Sequence, residues 1–323
     1  MDEELILCDV HKSYNINIKR MIQIDGGWLN QLWKASDGVR EYIIKRYSHS
    51  RFSQLKIMKI EEALQRRIRL EPFGIPFPHI YLHEKKAIRL LNEDISYMVM
   101  NFSPGRNETP ETISAAQMES LGSVCARMHK GFSQLPVSAK DTPPDILGLL
   151  ENHLTEQQRT LSPNAPEQLQ KALLTGESIF KRLSDGFFAR FPIGFSHEDF
   201  TPDNILFDES SVAAVIDFDR NSFGYPWHDV GRAVLSFALN KNRMEVFKIQ
   251  AFMDGYSKHL PLTWENIADA LRLTWCIEFP WWFTPYCFTD KFKGKAVRYR
   301  QEIQWLTENW EELNRLQERE GSI

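Results

Sequence analysis

The first hundred residues alternate between short apolar runs and turn residues, a pattern that predicts β-strands. Glycine-containing turns at Gly26-Gly27 and Ser36-Asp37-Gly38 separate the first three runs, and Asn92-Glu93-Asp94 separates the last two. The predicted strands are Met21–Asp25, Leu32–Ala35, Glu41–Tyr47, Ala87–Leu91 and Ile95–Phe102. Between the third and fourth, apolar residues recur at helical spacing over about residues 52–70. This part of the chain is predicted to be a sheet with one helix.

Beyond Pro104-Gly105 the apolar positions recur mostly at helical spacing. The predicted helices are Met118–His129, Pro166–Leu183, Val230–Leu239, Met244–Lys258, Thr263–Phe279 and Lys295–Glu318. Two short apolar runs are the exception, since Ile205–Phe207 and Val212–Ile216 flank a turn and predict a hairpin. We therefore predict a bilobal α+β protein, with an N-terminal lobe at 1–102, a connector at about 100–105 and a mostly helical lobe at 103–323.

Composition narrows the function classes. The 323 residues are 42% hydrophobic and 25% charged, which is typical of a globular protein. A net charge of −4 gives no global sign of nucleic-acid binding. The four cysteines form no CxxC pair, the N-terminus lacks a signal peptide, and no apolar run approaches the roughly 20 residues that span a bilayer. We expect a cytoplasmic protein without nucleic-acid or membrane partners, whose oligomeric state the sequence leaves open.

The densest chemical pattern is the segment from His197 to Asp219. Phosphoryl transfer needs an attacking hydroxyl placed in line and metal ions that neutralise the phosphates. Asp199 can orient such a hydroxyl and take its proton. Asn204 opens the first hairpin strand and Asp217 closes the second, so the hairpin brings these oxygen donors to one end. Because Mg²⁺ prefers oxygen ligands, the segment predicts a magnesium site.

This segment resembles the HxDxxxxN…D pattern of the aminoglycoside phosphotransferase and choline kinase family, small-molecule kinases with a protein-kinase-like fold. The resemblance implies ATP- and Mg²⁺-dependent transfer of the γ-phosphate to a hydroxyl. It makes Asp199 the catalytic base and Asn204 and Asp217 the metal ligands. It also implies that His197 supports the catalytic loop and that Asp219 is a further carboxylate near the metal.

Two positions of the motif depart from the family pattern. Glu198 follows the histidine and Asp203 precedes the asparagine, where the family usually has glycine. Glycine eases unusual backbone geometry. The catalytic loop is therefore expected to be shaped differently, with no catalytic group lost.

The resemblance extends to the N-terminal lobe. Lys45, at the end of its strand, takes the place of the lysine that contacts the nucleotide phosphates. Its expected partner is Glu61, which shares the apolar face of the predicted helix, with Glu62 as the alternative. Gly26 and Gly27 occupy the place of the phosphate-covering loop, without the full GxGxxG pattern.

The connector between the predicted lobes, Tyr97–Gly105, resembles the hinge of kinases. By that resemblance Met100 lines the adenine pocket, and the backbone of Asn101 and Ser103 bonds the adenine edge. Downstream, in the segment Gly224–Arg232, Asp229 is expected to cap the next helix and to brace the catalytic loop.

The most aromatic stretch of the chain supplies candidates for the acceptor site. The candidates are Glu278, Trp281, Trp282 and Tyr286. Aromatic faces with a carboxylate suit a cationic amine, such as an amino sugar or amino alcohol. The alternative is that these residues simply pack the last helices. The acceptor and the choice between ATP and GTP stay open, since aminoglycoside, choline, homoserine and methylthioribose kinases share the same parts.

Two other functions remain compatible with this fold. One is a catalytically inactive kinase-like protein with a binding or structural role, although Lys45, Asp199, Asn204 and Asp217 are all present. The other is a serine/threonine protein kinase. The short stretch between Asp217 and Asp229 leaves little room for a peptide platform and disfavours it.

Overall fold

The computed structural model describes residues 2–24, 30–48, 53–183, 185–289 and 291–319. It divides into two compact units. The first contains residues 1–107, 203–208 and 212–222, and the second contains residues 108–202, 209–211 and 223–323. The predicted hairpin therefore packs with the N-terminal unit, although it follows the catalytic loop in sequence. The lobe boundary between residues 102 and 103 stays a prediction.

The first unit is built on an antiparallel sheet with strand order β1-β2-β3-β6-β4, in which β5 also pairs with β6. The strands are β1 (Arg20–Ile24), β2 (Gln31–Ser36), β3 (Glu41–Ser48), β4 (Ile80–Tyr81), β5 (Arg89–Leu90) and β6 (Ile95–Asn101). In the central pairing Lys45 of β3 lies opposite Met98 of β6. This sheet confirms the strand predictions, with β4 added.

Two helices accompany this sheet, α1 (Asp2–Tyr14) and α2 (Gln54–Ile68). The sequence prediction contained α2 and missed α1. Ile6 and Val10 of α1 are fully buried in a cluster with sheet residues such as Trp33 and Ile44. The inward face of α1 also carries Asp9, and this polar residue interrupts the apolar stripe that would have indicated a helix.

The second unit is mostly helical. Its helices are α3 (Ala115–Phe132), α4 (Ile146–Thr160), α5 (Glu167–Phe180), α6 (Asp185–Phe188), α7 (Trp227–Ala238), α8 (Val246–Ser257), α9 (Trp264–Trp282) and α10 (Lys295–Glu308). Elsewhere among the described residues, short strands form three pairs: β7 (Gly194–Ser196) with β10 (Ser222–Gly224), β8 (Ile205–Phe207) with β9 (Val212–Val215), and β11 (Leu239–Asn240) with β12 (Arg243–Met244). The β8–β9 pair is the predicted hairpin.

Close helix contacts hold the second unit together. A Cβ atom built on Gly122 of α3 would lie 1.9 Å from the carbonyl oxygen of Phe252 in α8, and one on Gly255 of α8 would lie 1.8 Å from that of Glu119. Such distances permit only glycine. The two helices therefore cross with their backbones in direct contact.

The last predicted helix is shorter than expected. It ends at Glu308, and residues Trp310–Arg319 form a 3₁₀ helix. Trp310, Leu313 and Leu316 are buried and spaced three residues apart. Residues at i and i+3 eclipse in a 3₁₀ helix, so this geometry buries all three on one face.

Among the described residues, no helix has the length and apolar character needed to cross a membrane.

Candidate active site

Within the first unit, the predicted lysine and two of the predicted acidic residues meet. Lys45 Nζ lies 2.9 Å from Asp217 Oδ1 and 2.8 Å from Asp219 Oδ2. Lys45 is 4% exposed, whereas the Asp217 side chain is 38% exposed. The lysine comes from β3 and the carboxylates follow β9. Residues 172 positions apart in the sequence thus form one charged cluster.

The cluster perturbs the titration of its members. Burial acts to lower the pKa of Lys45, but the charges of Asp217 and Asp219 outweigh it and raise that pKa above its usual value. Burial, together with the charge of Asp217, raises the pKa of Asp219 to about 6 although Lys45 acts against this. One buried cation thus faces two carboxylates, so the cluster carries excess negative charge when both ionise. Excess negative charge of this kind suits a metal cation.

Tyr47 is a member of the cluster that the sequence did not single out. Its hydroxyl donates to Asp219 Oδ1 at 3.2 Å, and its ring is fully buried. Tyr47 stands two positions after Lys45 on the same strand, so both side chains point to one face of the sheet. Strand periodicity alone could have found it.

The expected ion pair between Lys45 and Glu61 is a wrong prediction. The Glu61 carboxylate accepts hydrogen bonds from the backbone N–H groups of Ala87 (3.1 Å) and Ile88 (2.7 Å) and from the Gln65 side chain (2.8 Å). Glu61 is partly buried, as its helix face implied, and Glu62 is exposed. Two peptide N–H groups and the Gln65 side chain, rather than a cation, satisfy the inward glutamate and offset the cost of its burial.

The hairpin brings the two predicted metal ligands to one end. Ile205 pairs with Val215, and the N–H of Ile216 donates to the carbonyl of Asn204 at 2.9 Å. Asn204 is buried, and Asp217 has a left-handed backbone with φ of 59°. Over the described residues, no group of three or more histidine, cysteine, aspartate or glutamate side chains is arranged to hold a metal. The predicted metal ligands do not form such a group, because one of them, Asn204, would bind through an amide oxygen.

The predicted catalytic loop, residues 197–199, lies in the second unit, where Asp229 of α7 holds its backbone. The N–H of His197 donates to Asp229 Oδ2 at 2.8 Å and that of Glu198 to Oδ1 at 3.0 Å. The N–H of Asp199 donates to His197 Nδ1 at 3.3 Å. His197 is fully buried, and Asp199 is partly exposed. His197 therefore bonds the backbone of the residue predicted to be the base.

The two roles expected of Asp229 have different outcomes. The prediction that Asp229 braces the catalytic loop is confirmed by its two backbone hydrogen bonds. The prediction that it caps the helix is wrong, since Pro226 is at the N-cap and makes no side-chain cap bond. Burial acts to raise the pKa of Asp229, but hydrogen bonds and charges, His129 foremost, hold it below the usual value. His129, which lies 3.2 Å from Asp229, is buried beside it.

Glu198 and Asp203, which replace the family's glycines, differ in their backbones. Glu198 is left-handed, with φ of 64°, whereas Asp203 is absent from the positive-φ residues of the described chain. A non-glycine residue in this region costs on the order of 1 kcal/mol. The position after the histidine therefore has a left-handed backbone, which glycine adopts without this cost, while carrying a glutamate.

The connector contains the predicted nucleotide-binding residues, and the hydrogen bond of one of them limits how it could contact a nucleotide. Met100, Asn101 and Ser103 are all partly buried. The N–H of Asn101 donates to the carbonyl of His79 at 2.9 Å, so its backbone contact with an adenine would use the carbonyl. The predicted phosphate-loop residues Gly26 and Gly27 lie outside the described residues.

The acceptor candidates divide between buried and exposed positions. Glu278 is buried, and its carboxylate accepts from Arg232 Nη1 (2.7 Å), His228 Nε2 (3.1 Å) and Trp282 Nε1 (2.9 Å). Trp281 and Tyr286 are 66% and 60% exposed. Glu278 is thus paired within the second unit, and the partly exposed Trp282 donates to it. Trp281 and Tyr286 are exposed enough to meet a ligand, and the acceptor role of all four stays a prediction.

Three kinds of similarity place the chain among known proteins. The sequence profile of the phosphotransferase enzyme family, APH, matches residues 20–262 of the chain. A homoserine kinase of Methylobacillus flagellatus is 27% identical over 228 residues, which cover 69% of this chain and 67% of that protein. This chain aligns with about half to two thirds of the length of the curated relatives that it matches.

Solved structures show the same fold. An amicoumacin kinase, hAmiN, in complex with AMP-PNP, Ca²⁺ and Ami has a TM-score of 0.65 at 16% identity, covering 96% of this chain and 94% of that one. A microcompartment-associated aminopropanol kinase has a TM-score of 0.60 at 16% identity, covering 96% and 98%. The profile match spans more than half of the 323 residues. The chain therefore belongs to the APH phosphotransferase enzyme family and is a small-molecule kinase.

Proposed function

We propose that the protein transfers the γ-phosphate of ATP, with Mg²⁺, to a hydroxyl group of a small amino alcohol or hydroxy amino acid. The observation that carries the proposal is the cluster of Lys45 with Asp217 and Asp219 in the first unit. A buried lysine suits the phosphates of a nucleotide, and the exposed side of Asp217 suits a metal ion.

The donor set is chemically suited to Mg²⁺. Asn204, Asp217 and Asp219 offer only oxygen atoms, which this hard cation prefers, and it commonly takes few protein ligands beside phosphate oxygens and water. When bound, Mg²⁺ would neutralise charge on the transferred phosphate. Lys45 would hold phosphate oxygens, and Asp199 would accept the proton of the acceptor hydroxyl.

The class of acceptor is proposed from relatives and from charge. The curated relatives are named homoserine kinases, and one structural neighbour is named an aminopropanol kinase. Both names denote a kinase of a small hydroxylated amine. The exposed Trp281 and Tyr286 could contact such an ammonium through their ring faces. Glu278 contributes no free charge, because Arg232 and His228 already balance it.

Nucleotide binding is tested by thermal unfolding with AMP-PNP, with and without Mg²⁺. We expect Mg²⁺-dependent stabilisation of the wild type that is lost in Asp217→Ala and kept in Glu209→Ala, an exposed carboxylate on the turn of the same hairpin. A wild type that no nucleotide stabilises would favour the inactive kinase-like protein and contradict the proposal.

Catalysis is tested by ATP and GTP consumption with homoserine, aminopropanol, choline, methylthioribose and kanamycin. We expect turnover to be fastest with homoserine or aminopropanol and to fall by about 10³-fold or more in Asp199→Ala. Equal turnover in that variant would contradict the role of Asp199 as base. Preference for kanamycin would keep the reaction and overturn the acceptor class.

A further inference from the structure

Next to the predicted catalytic loop, the second unit contains a row of alternating charges that is buried except for the partly exposed Glu198. The row is Glu198, His228, Glu278, Arg232 and Glu302. His228 Nδ1 lies 3.6 Å from Glu198 Oε2, and its Nε2 lies 3.1 Å from Glu278 Oε1. The row thus connects the loop residue next to Asp199 with α7, α9 and α10.

Both carboxylate oxygens of Glu198 have partners. Oε1 accepts a hydrogen bond from Ser196 Oγ at 2.5 Å, and Oε2 faces His228. Its own N–H is held by Asp229. Side chain and backbone are therefore both bound, and the two residues that bind them on α7, His228 and Asp229, are consecutive.

His228 stands at a position where a cation needs compensation. It lies in the first turn of α7, whose dipole disfavours positive charge, and its side chain is 6% exposed. Burial acts to lower the pKa of His228, but Glu198 and Glu278 together raise it to about 10. Both carboxylates therefore stabilise the protonated, positively charged form of His228, which in turn pairs with each of them.

These contacts explain how a glutamate occupies a glycine-like backbone. The left-handed φ of 64° costs Glu198 free energy that glycine would not lose. The ion pair with His228 of α7 and the hydrogen bond from Ser196 of β7 offset this cost. Because Asp199 follows Glu198 directly in the chain, the backbone torsions of Glu198 also set the direction of the Asp199 side chain.

We infer that Glu198 and His228 form a charged pair that positions the catalytic loop, with Glu198 as a positioning residue for the proposed base Asp199. The pair takes over the role that glycine's backbone freedom has in the family pattern. The inference rests on the proposed function for its kinetic consequence, but the charged pair itself does not.

The kinetic arm compares Glu198→Ala, Glu198→Gln and His228→Gln with wild type. We expect kcat to fall about 10- to 100-fold with KM for ATP changed less than about threefold, because a misdirected base affects the chemical step. Glu156→Gln, the same change in an exposed ion pair of α4, should match wild type. A purely structural role would lower the melting temperature and leave kcat intact, and that result would overturn the inference.

A double-mutant cycle tests whether the two residues act as a pair. In Glu198→Gln/His228→Gln both charges are absent, so we expect a kcat loss no larger than that of the worse single variant. Losses that multiply would show independent roles. Glu198→Gly restores backbone freedom without the carboxylate, and full activity in this variant together with full activity in His228→Gln would equally overturn the inference.

An NMR arm needs no turnover. Two-bond correlations of the histidine ring nitrogens, assigned with His228→Gln, should show His228 protonated on both nitrogens at pH 8. The backbone amide of Asp199 should shift in Glu198→Ala and His228→Gln but not in Glu156→Gln. A neutral His228 ring at pH 7, or an unmoved Asp199 amide, would overturn the inference. If the wild type turns over no acceptor, the proposed function fails while these spectra still decide the pair.

Discussion

His228 should make the stability of the protein depend on pH in a range where few other groups titrate. Its folded-state pKa of about 10 exceeds the value of 6.5 of a free histidine. Between these values the folded state holds a proton that the unfolded state has released. Its stabilising contribution is therefore complete below pH 6.5 and is lost as pH rises towards 10.

The size of this effect follows from the pKa difference. Each pKa unit corresponds to about 1.4 kcal/mol, so the whole contribution is about 5 kcal/mol and about 2 kcal/mol of it is lost between pH 7 and 8.5. Burial lowers the pKa of His153 and His259, so those histidines act below pH 6.5. Ionisation of cysteines in the unfolded state adds to the upper end of this range and is common to wild type and variants.

The assay is equilibrium unfolding in urea at four pH values from 7 to 8.5, for wild type and His228→Gln. We expect the unfolding free energy of the wild type to fall about 2 kcal/mol more than that of the variant over this range. His79→Gln, the same change at a histidine whose side chain is 58% exposed, should keep the wild-type slope. Equal slopes in wild type and His228→Gln would refute a buried, protonated histidine at this position.

Three further variants test other parts of the molecule. Gly122→Ala should destabilise by about 3 kcal/mol in urea unfolding, because its Cβ would meet the Phe252 carbonyl, whereas Gly194→Ala, whose Cβ would make only an ordinary contact of 3.6 Å with Pro226 Cγ, should be near neutral. Lys45→Met should raise KM for ATP at least about tenfold by steady-state kinetics, and an unchanged KM would exclude phosphate contact. Asp9→Asn should lower stability by about 1–3 kcal/mol, seen as a lower melting temperature, because it weakens the 2.6 Å Tyr97 hydrogen bond.

The sequence correctly predicted that Asn204 and Asp217 lie at one end of a hairpin, because hairpin geometry depends on local spacing. Asn204 and Asp217 were placed at one end of a hairpin from strand lengths alone, and the pairing of Ile205 with Val215 agrees. Hairpin register follows from the two runs and their turn. The bracing of the loop by Asp229 was also predicted from its position in a motif.

The partner of Lys45 could not be predicted from helix periodicity. The face of α2 correctly gave Glu61 an inward direction. Direction along one element does not say which groups of the neighbouring elements are nearer. The peptide N–H groups of Ala87 and Ile88 reach Glu61, and Asp217 and Asp219 reach Lys45.

By itself the sequence determined the α+β class, the APH-like motif and the identity of the acidic residues, since these follow from periodicity and residue type within short segments. Only the tertiary structure decided how charges pair. Glu198 was recognised as a departure from glycine, yet its ion pair with His228 of α7 and its left-handed backbone are seen only in the folded structure. Ion pairs between distant segments depend on three-dimensional distances and burial, which a linear pattern does not contain.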